Sequence, residues 1–169
     1  IHFVAQIPFI ADTHAFVGEK DVWCTTDEVL TLCAGDEEEH GVVLFNYLYY
    51  LSVQSGRVDQ KISSVQTADA DVFLIMGKAI PEGRSVYVAI KAEPENTKSN
   101  EYLIINPCTG HIYSCFDSNC PLVEIAMIVT PHNLFANIQK DARPRHTNFD
   151  VTNTSAWRPF FGYLRTNCG

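Results

Sequence analysis

Positive charge is in short supply in this chain. Twelve Lys and Arg stand against 20 Asp and Glu, for a net charge of -8 and a pI of about 5.1. Nucleic-acid phosphates and anionic membrane surfaces both need clustered cations, so neither is an expected ligand. The few cations are scattered, densest at Lys140, Arg143 and Arg145. Long apolar runs are also missing. None approaches the roughly 18 residues of a membrane span, so no direct membrane insertion is expected. No charged-then-apolar leader marks a signal peptide. The six cysteines, Cys24, Cys33, Cys108, Cys115, Cys120 and Cys168, include no Cys-x-x-Cys pair. Their even number permits three disulfides, but a core of this size does not require them, so reduced, intracellular thiols are expected. There is no internal repeat. One sequon, "NTS" at Asn153–Ser155, is a match that chance alone supplies.

What is present is enough apolar surface for one core. The 169 residues are 46% hydrophobic, the size of a single domain over 1–169. The opening "IHFVAQIPFI" has no initiator methionine and reads as the interior of a longer protein. "TTDEVLTLCAG" predicts a short helix, capped by Thr25 or Thr26 with Glu28 in its first turn and Gly35 as the stop. A second helix is expected from about Asp36 to Leu51. Ser52–Asp71 is polar and weakly periodic and reads as a surface loop insertion. "VFLIMGKAI", "SVYVAIKA", "EYLIINP", "CTGHIYSCF" and "LVEIAMIVT" predict five strands. "EPENTKSN" reads as a second polar loop, and "PHNLFANIQK" as a short helix with Pro131 near its first turn. The tail from Asp141 reads as loop-rich and aromatic. Helices first and strands after predict an α+β domain, with an antiparallel sheet packed on a buried N-terminal helix.

The sharpest local feature is "AGDEEEHGVVLFNYLYYL", Ala34 to Leu51. Asp36 can cap a helix with Glu39 three residues on, and acids in the first turn suit the positive end of the dipole. From Val42 onward the apolar residues fall on nearly every face, which predicts a helix buried all round. Glu37 and His40 also form a Glu-x-x-His pair, but the second pair a di-iron bundle needs is missing. Cys108, His111, Cys115 and Cys120 have zinc-compatible side chains at a spacing too compressed for separated knuckles. A cysteine nucleophile would be best placed at the start of a buried helix, where the dipole lowers its pKa. Here that start holds Glu37, Glu38 and Glu39. Cys33 precedes it, and a Cys33–His111 pairing is possible on paper.

"AGDEEEHGVVL", "MGKAIPEGRSVYV", "LIINPCTGHIYSCFDSNCPL" and "NFDVTNTSAWRPFF" together resemble one family. It is the transglutaminase-like (papain-like) domain of the coiled-coil and C2 domain-containing proteins of the ciliary transition zone, 2A type. The resemblance runs from about "IPFIADTHAF" to "WRPFF", with Ser52–Asp71 longer than is usual for that connection. It implies a transglutaminase-like fold with a buried N-terminal helix. In active relatives of the fold a Cys-Arg-Asp pattern opens the helix, a His-x-Trp-Val strand brings the base, and Asp-Pro follows. Laid on that pattern, "EEEHG", "SVYV" and "NP" put Glu37, Ser85 and Asn106 at the three positions. A carboxylate is a poor acyl-transfer nucleophile, and a serine hydroxyl cannot act as base near neutral pH. The resemblance therefore implies a pseudoenzyme with no catalytic residue and no cofactor, acting in ciliogenesis as a protein-binding or scaffold module. It implies a place at the cytoplasmic side of the transition zone, basal body and cytoskeleton. It implies B9-domain and tectonic-type partners, and room for a peptide in the degenerate cleft. Tubulin tails are acidic like this domain, which disfavours them. The alternatives are an active cysteine hydrolase or transferase using a non-standard thiol, and a zinc-stapled structural domain.

Overall fold

The computed structural model describes residues 1–15, 22–54, 72–92 and 101–162. Three helices come first: α1 (Asp12–Ala15), α2 (Thr26–Leu32) and α3 (Glu37–Gln54). A capping box starts α2. The Thr25 hydroxyl accepts the Glu28 N–H at 3.4 Å, and the Glu28 carboxylate accepts the Thr25 N–H at 2.8 Å. Two donors the helix would otherwise orphan are thereby satisfied. The stop is not the expected Gly35. Cys33 takes the left-handed conformation (φ 54) and returns its N–H to Val29, ending the helix two residues earlier.

Asp36 caps α3 as its spacing from Glu39 predicts. Its carboxylate accepts the Glu38 N–H at 3.1 Å, and the Glu39 carboxylate accepts the Asp36 N–H at 3.0 Å. The helix is buried over its first half, where Glu39, His40, Gly41, Val43, Leu44 and Phe45 are all covered. The expectation of burial on every face fails beyond that. Tyr47 and Tyr50 are more than half exposed, and Leu51 is exposed too. Tyrosine carries a hydroxyl that tolerates water, so it made the run look more apolar than it is. The helix also continues through Gln54, taking in the first three residues of the expected Ser52–Asp71 loop. The rest of that loop, 55–71, and the loop 93–100 lie outside the described residues.

Among the described residues seven strands form one antiparallel sheet in the order β4-β3-β2-β1-β5-β6-β7. Their ranges are β1 Val72–Ala79, β2 Gly83–Lys91, β3 Tyr102–Ile105, β4 Ile112–Ser114, β5 Leu122–Val129, β6 Leu134–Asn137 and β7 Trp157–Pro159. Five match the predicted strands. "PHNLFANIQK" is a strand and not a helix: Pro131 lies in a turn closed by the Thr130 N–H on Asn133 O, and Leu134–Asn137 pairs with β5. The tail, expected to be loop, supplies β7 and a 3-10 turn at Pro144–His146.

The sheet separates two cores. Val72, Leu74, Val86, Val88 and Ile105 face the helices and pack with Val4, Val29, Val43, Leu44 and Phe45. Gly41 lets α3 sit directly on the strands, since a Cβ there would lie 2.5 Å from Val86 Cγ1. The alternate residues Phe73, Ile75, Tyr87 and Ala89 point the other way, as the period of two requires. They meet Ile125, Ile128, Phe149, Val151 and Trp157. The tail closes this second face: Phe149 stacks on Tyr102 at 4.3 Å, and Trp157 Nε1 donates to Asn148 O at 2.6 Å. Among the described residues no helix is long and apolar enough to cross a membrane.

Candidate functional site

The start of α3 ties together chain segments far apart in sequence. Glu39 is 3% exposed. Besides the Asp36 N–H, its carboxylate accepts the Cys24 N–H at 3.0 Å. Asp12, also buried, accepts the Val22 N–H. The two ring nitrogens of His40 lie 2.5 Å from Asp36 O and 2.9 Å from Ile7 O. The Ile10 N–H reaches Gly35 O at 2.9 Å, which straps the N-terminal segment to the same point. Carboxyl oxygens of Asp12, Asp36 and Glu39 come within 4.8 Å of one another, as do those of Asp36, Glu37 and Glu38. The first group is spent on backbone N–H groups. Burial pushes the Asp36 carboxyl up to about 6, and burial likewise raises Glu39.

The three positions read from the sequence fall as follows. Glu37 is half-buried in the first turn of α3. Ser85 is buried on β2 opposite Gly77 of β1, and its strand alternation puts it on the face of Tyr87 and Ala89. Asn106 follows β3. Its side-chain oxygen accepts the Cys108 and Thr109 N–H groups at 3.0 Å each, and its Nδ2 donates to the Tyr87 hydroxyl at 3.3 Å. Ser85 and Asn106 thus share one layer through Tyr87, but the three side chains make no hydrogen bond with one another.

Cys108, weighed from the sequence only as a zinc ligand, is a thiol that feels the helix start. Burial pushes it up to about 12, and the charges of Glu37, Asp36, Glu38 and Glu82 push the same way. Its nearness to Glu37 is tertiary, and the only sequence signal was its place two residues after Asn106. Cys24, Cys115 and Cys120 are raised as well, each chiefly by burial. A thiol attacks as thiolate, so this environment works against nucleophilic chemistry. The Cys33–His111 pairing does not form: Cys33 Sγ donates to Leu30 O, and His111 Nδ1 lies 3.1 Å from Thr109 Oγ1. Nor do the four zinc candidates gather. Cys115 and Cys120 pack in the core on the tail side of the sheet, and neither carboxylate group described above includes Cys108, His111, Cys115 or Cys120. His40 of the Glu-x-x-His pair is occupied by backbone carbonyls.

The helix lies on an antiparallel sheet with its N-terminus beside a strand-end Asn-Pro-Cys turn, an α+β arrangement that fits a peptidase-like domain coarsely. The family model of the CEP76 peptidase-like domain matches residues 21–160, and the chain belongs to that family. Its relatives include the human protein CC2D2B, 29% identical over 156 residues and 92% of this chain. The Drosophila melanogaster coiled-coil and C2 domain-containing protein 2A is 26% identical over 161 residues and 95% of the chain. The chain spans only about a tenth of the length of these two relatives.

Proposed function

We propose that this chain is a catalytically inactive, transglutaminase-like (papain-like) domain that serves a CC2D2-type protein as a protein-binding or scaffold module at the ciliary transition zone. The observation that carries the reading is the state of Cys108. With Cys24 it is one of two thiols in electrostatic reach of the α3 N-terminus, and burial plus the Glu37, Asp36 and Glu38 carboxylates drive it away from the thiolate. A helix dipole contributes about half a charge at its end. Three carboxylates in the same place outweigh it. Glu37, Ser85 and Asn106 are then the relics of nucleophile, base and orienter, with no proton relay between them. B9-domain and tectonic-type proteins of the transition zone are the proposed partners.

Thiol labelling tests the inactivity. With iodoacetamide at pH 7.5, exposed Cys33 is expected to react at the rate of an ordinary thiol, and Cys24, Cys108, Cys115 and Cys120 more slowly. A single cysteine reacting about a hundredfold faster than a free thiol would revive the active hydrolase. Co-purification of the full-length protein with B9-domain or tectonic-type proteins, lost when this domain is deleted, tests the scaffold role.

A further inference from the structure

A groove of about 490 Å³ runs beside α2, lined by Val22, Trp23, Cys24, Asp27, Glu28, Thr31 and Leu32. None of these is Glu37, Ser85 or Asn106, so the groove is separate from the degenerate positions. Its walls expose large apolar side chains, Trp23 at 45% and Leu32 at 57%. Its rim is acidic, with Asp27 and Glu28 in the first turn of α2 and no base in the last. The Thr25 N–H and hydroxyl both donate to the Glu28 carboxylate, at 2.8 and 2.7 Å, and hold its pKa below the usual glutamate value. The ion pairs among the described residues lie elsewhere, at Asp141 with Arg143 and His146, so no described cation neutralises this rim. The thiol on the groove wall registers the same field: after burial, Cys24 is raised by Glu39, Glu28, Asp12 and Asp36 in turn, all carboxylates.

We infer that this groove docks a short amphipathic segment of a partner protein, one bearing Lys or Arg beside aliphatic anchors. The apolar walls supply the contact area and Trp23 the aromatic anchor typical of binding hot spots. Asp27 and Glu28, with no cation paired to them among the described residues, select the sign of the partner and repel acidic segments. This rests on the binding role proposed above but not on the inactivity, and it gives that role a surface.

The test uses intrinsic fluorescence of the 169-residue chain. Its two tryptophans are well separated in kind: Trp157 is 1% exposed and hydrogen-bonded, so Trp23 reports the groove. The probes are an acetylated 12-residue Leu-Lys-Lys-Leu repeat and its Leu-Glu-Glu-Leu counterpart. The lysine peptide is expected to shift Trp23 emission to the blue and to saturate, with affinity falling as salt rises from roughly 50 to 300 mM. The glutamate peptide should bind at least about tenfold more weakly. Asp27→Lys should weaken the lysine peptide about fivefold and Asp27→Asn less, while Glu124→Lys, the same change in net charge on β5, should leave it unchanged. Equal binding of both peptides would overturn the proposal. So would equal effects of Asp27→Lys and Glu124→Lys, or an unmoved Trp23. A Trp23 shift driven by protein concentration alone would assign the groove to a second copy and overturn it too. Failure here, with thiol labelling still slow, would leave the inactive reading standing.

Discussion

Asp36 does two opposed things, and replacing it with asparagine separates them. As a cap it accepts the Glu38 and Glu39 N–H groups, and the Asn side-chain oxygen can do the same. As a charge it sits half-buried beside Asp12 and Glu39, and burial foremost pushes it up to about 6 from 3.8. Two pKa units correspond to about 3 kcal/mol. Solvent reaches the group, so screening reduces this to about 1.5 kcal/mol, and the favourable dipole interaction that Asn gives up removes roughly a further 0.5 kcal/mol. Asp36→Asn should therefore stabilise the fold at pH 7.5 by about 1 kcal/mol, a rise in Tm of roughly 2–4 °C for a chain of this length. The sign with pH follows from the raised folded value. The folded state holds the proton more tightly than the unfolded one, so the group's stabilisation is full below about pH 4 and is lost as pH rises through about 6. The advantage of Asp36→Asn should shrink steadily as pH falls from 7.5 towards 4. Circular-dichroism melts of both proteins at pH 4.5, 6 and 7.5 and fixed ionic strength measure it. A variant less stable at pH 7.5, or a gap independent of pH, would refute the account of a strained acidic helix start.

Trp157→Ala removes the largest fully buried side chain and the hydrogen bond that fastens the tail to Asn148. Urea unfolding should show a loss of about 3–5 kcal/mol. Gly77→Ala places a Cβ 2.2 Å from the Glu124 carbonyl oxygen, where backbone must move. The expected cost is about 2–3 kcal/mol by the same assay, and a neutral result would mean that β1 and β5 are not held this closely. In iodoacetamide labelling at pH 8, Cys108 should stay slow in the folded protein and match the other thiols once urea unfolds it.

The elements legible in the sequence are those whose own residues carry the pattern. Asp36 and Glu39 announce the start of α3 because capping is a local bond, and β1, β2 and β5 are long enough for their apolar character to stand out. Strands β6 and β7 were invisible for the opposite reason. Each buries one residue, Phe135 or Trp157, and owes its conformation to the neighbour it pairs with. The stop of α2 was misplaced because a left-handed cysteine does what glycine usually does. At the candidate site, Glu37, Ser85 and Asn106 are ordinary residues that only a family pattern picks out. The coupling of Cys108 to Glu37 joins positions 71 apart in the chain and has no local signature.

The order of the sheet also decides how this domain resists joining other sheets. Among the described residues its two outermost strands, β4 and β7, are only three residues long, and β7 ends in a proline that has no N–H to offer. Short edges and a terminal proline are the means by which β-proteins avoid fibrillar stacking and unwanted strand addition. A partner that docks by extending the sheet would find little backbone to pair with here. Contact with another protein would fall to side-chain surfaces, and the short edges give the domain little template for its own aggregation.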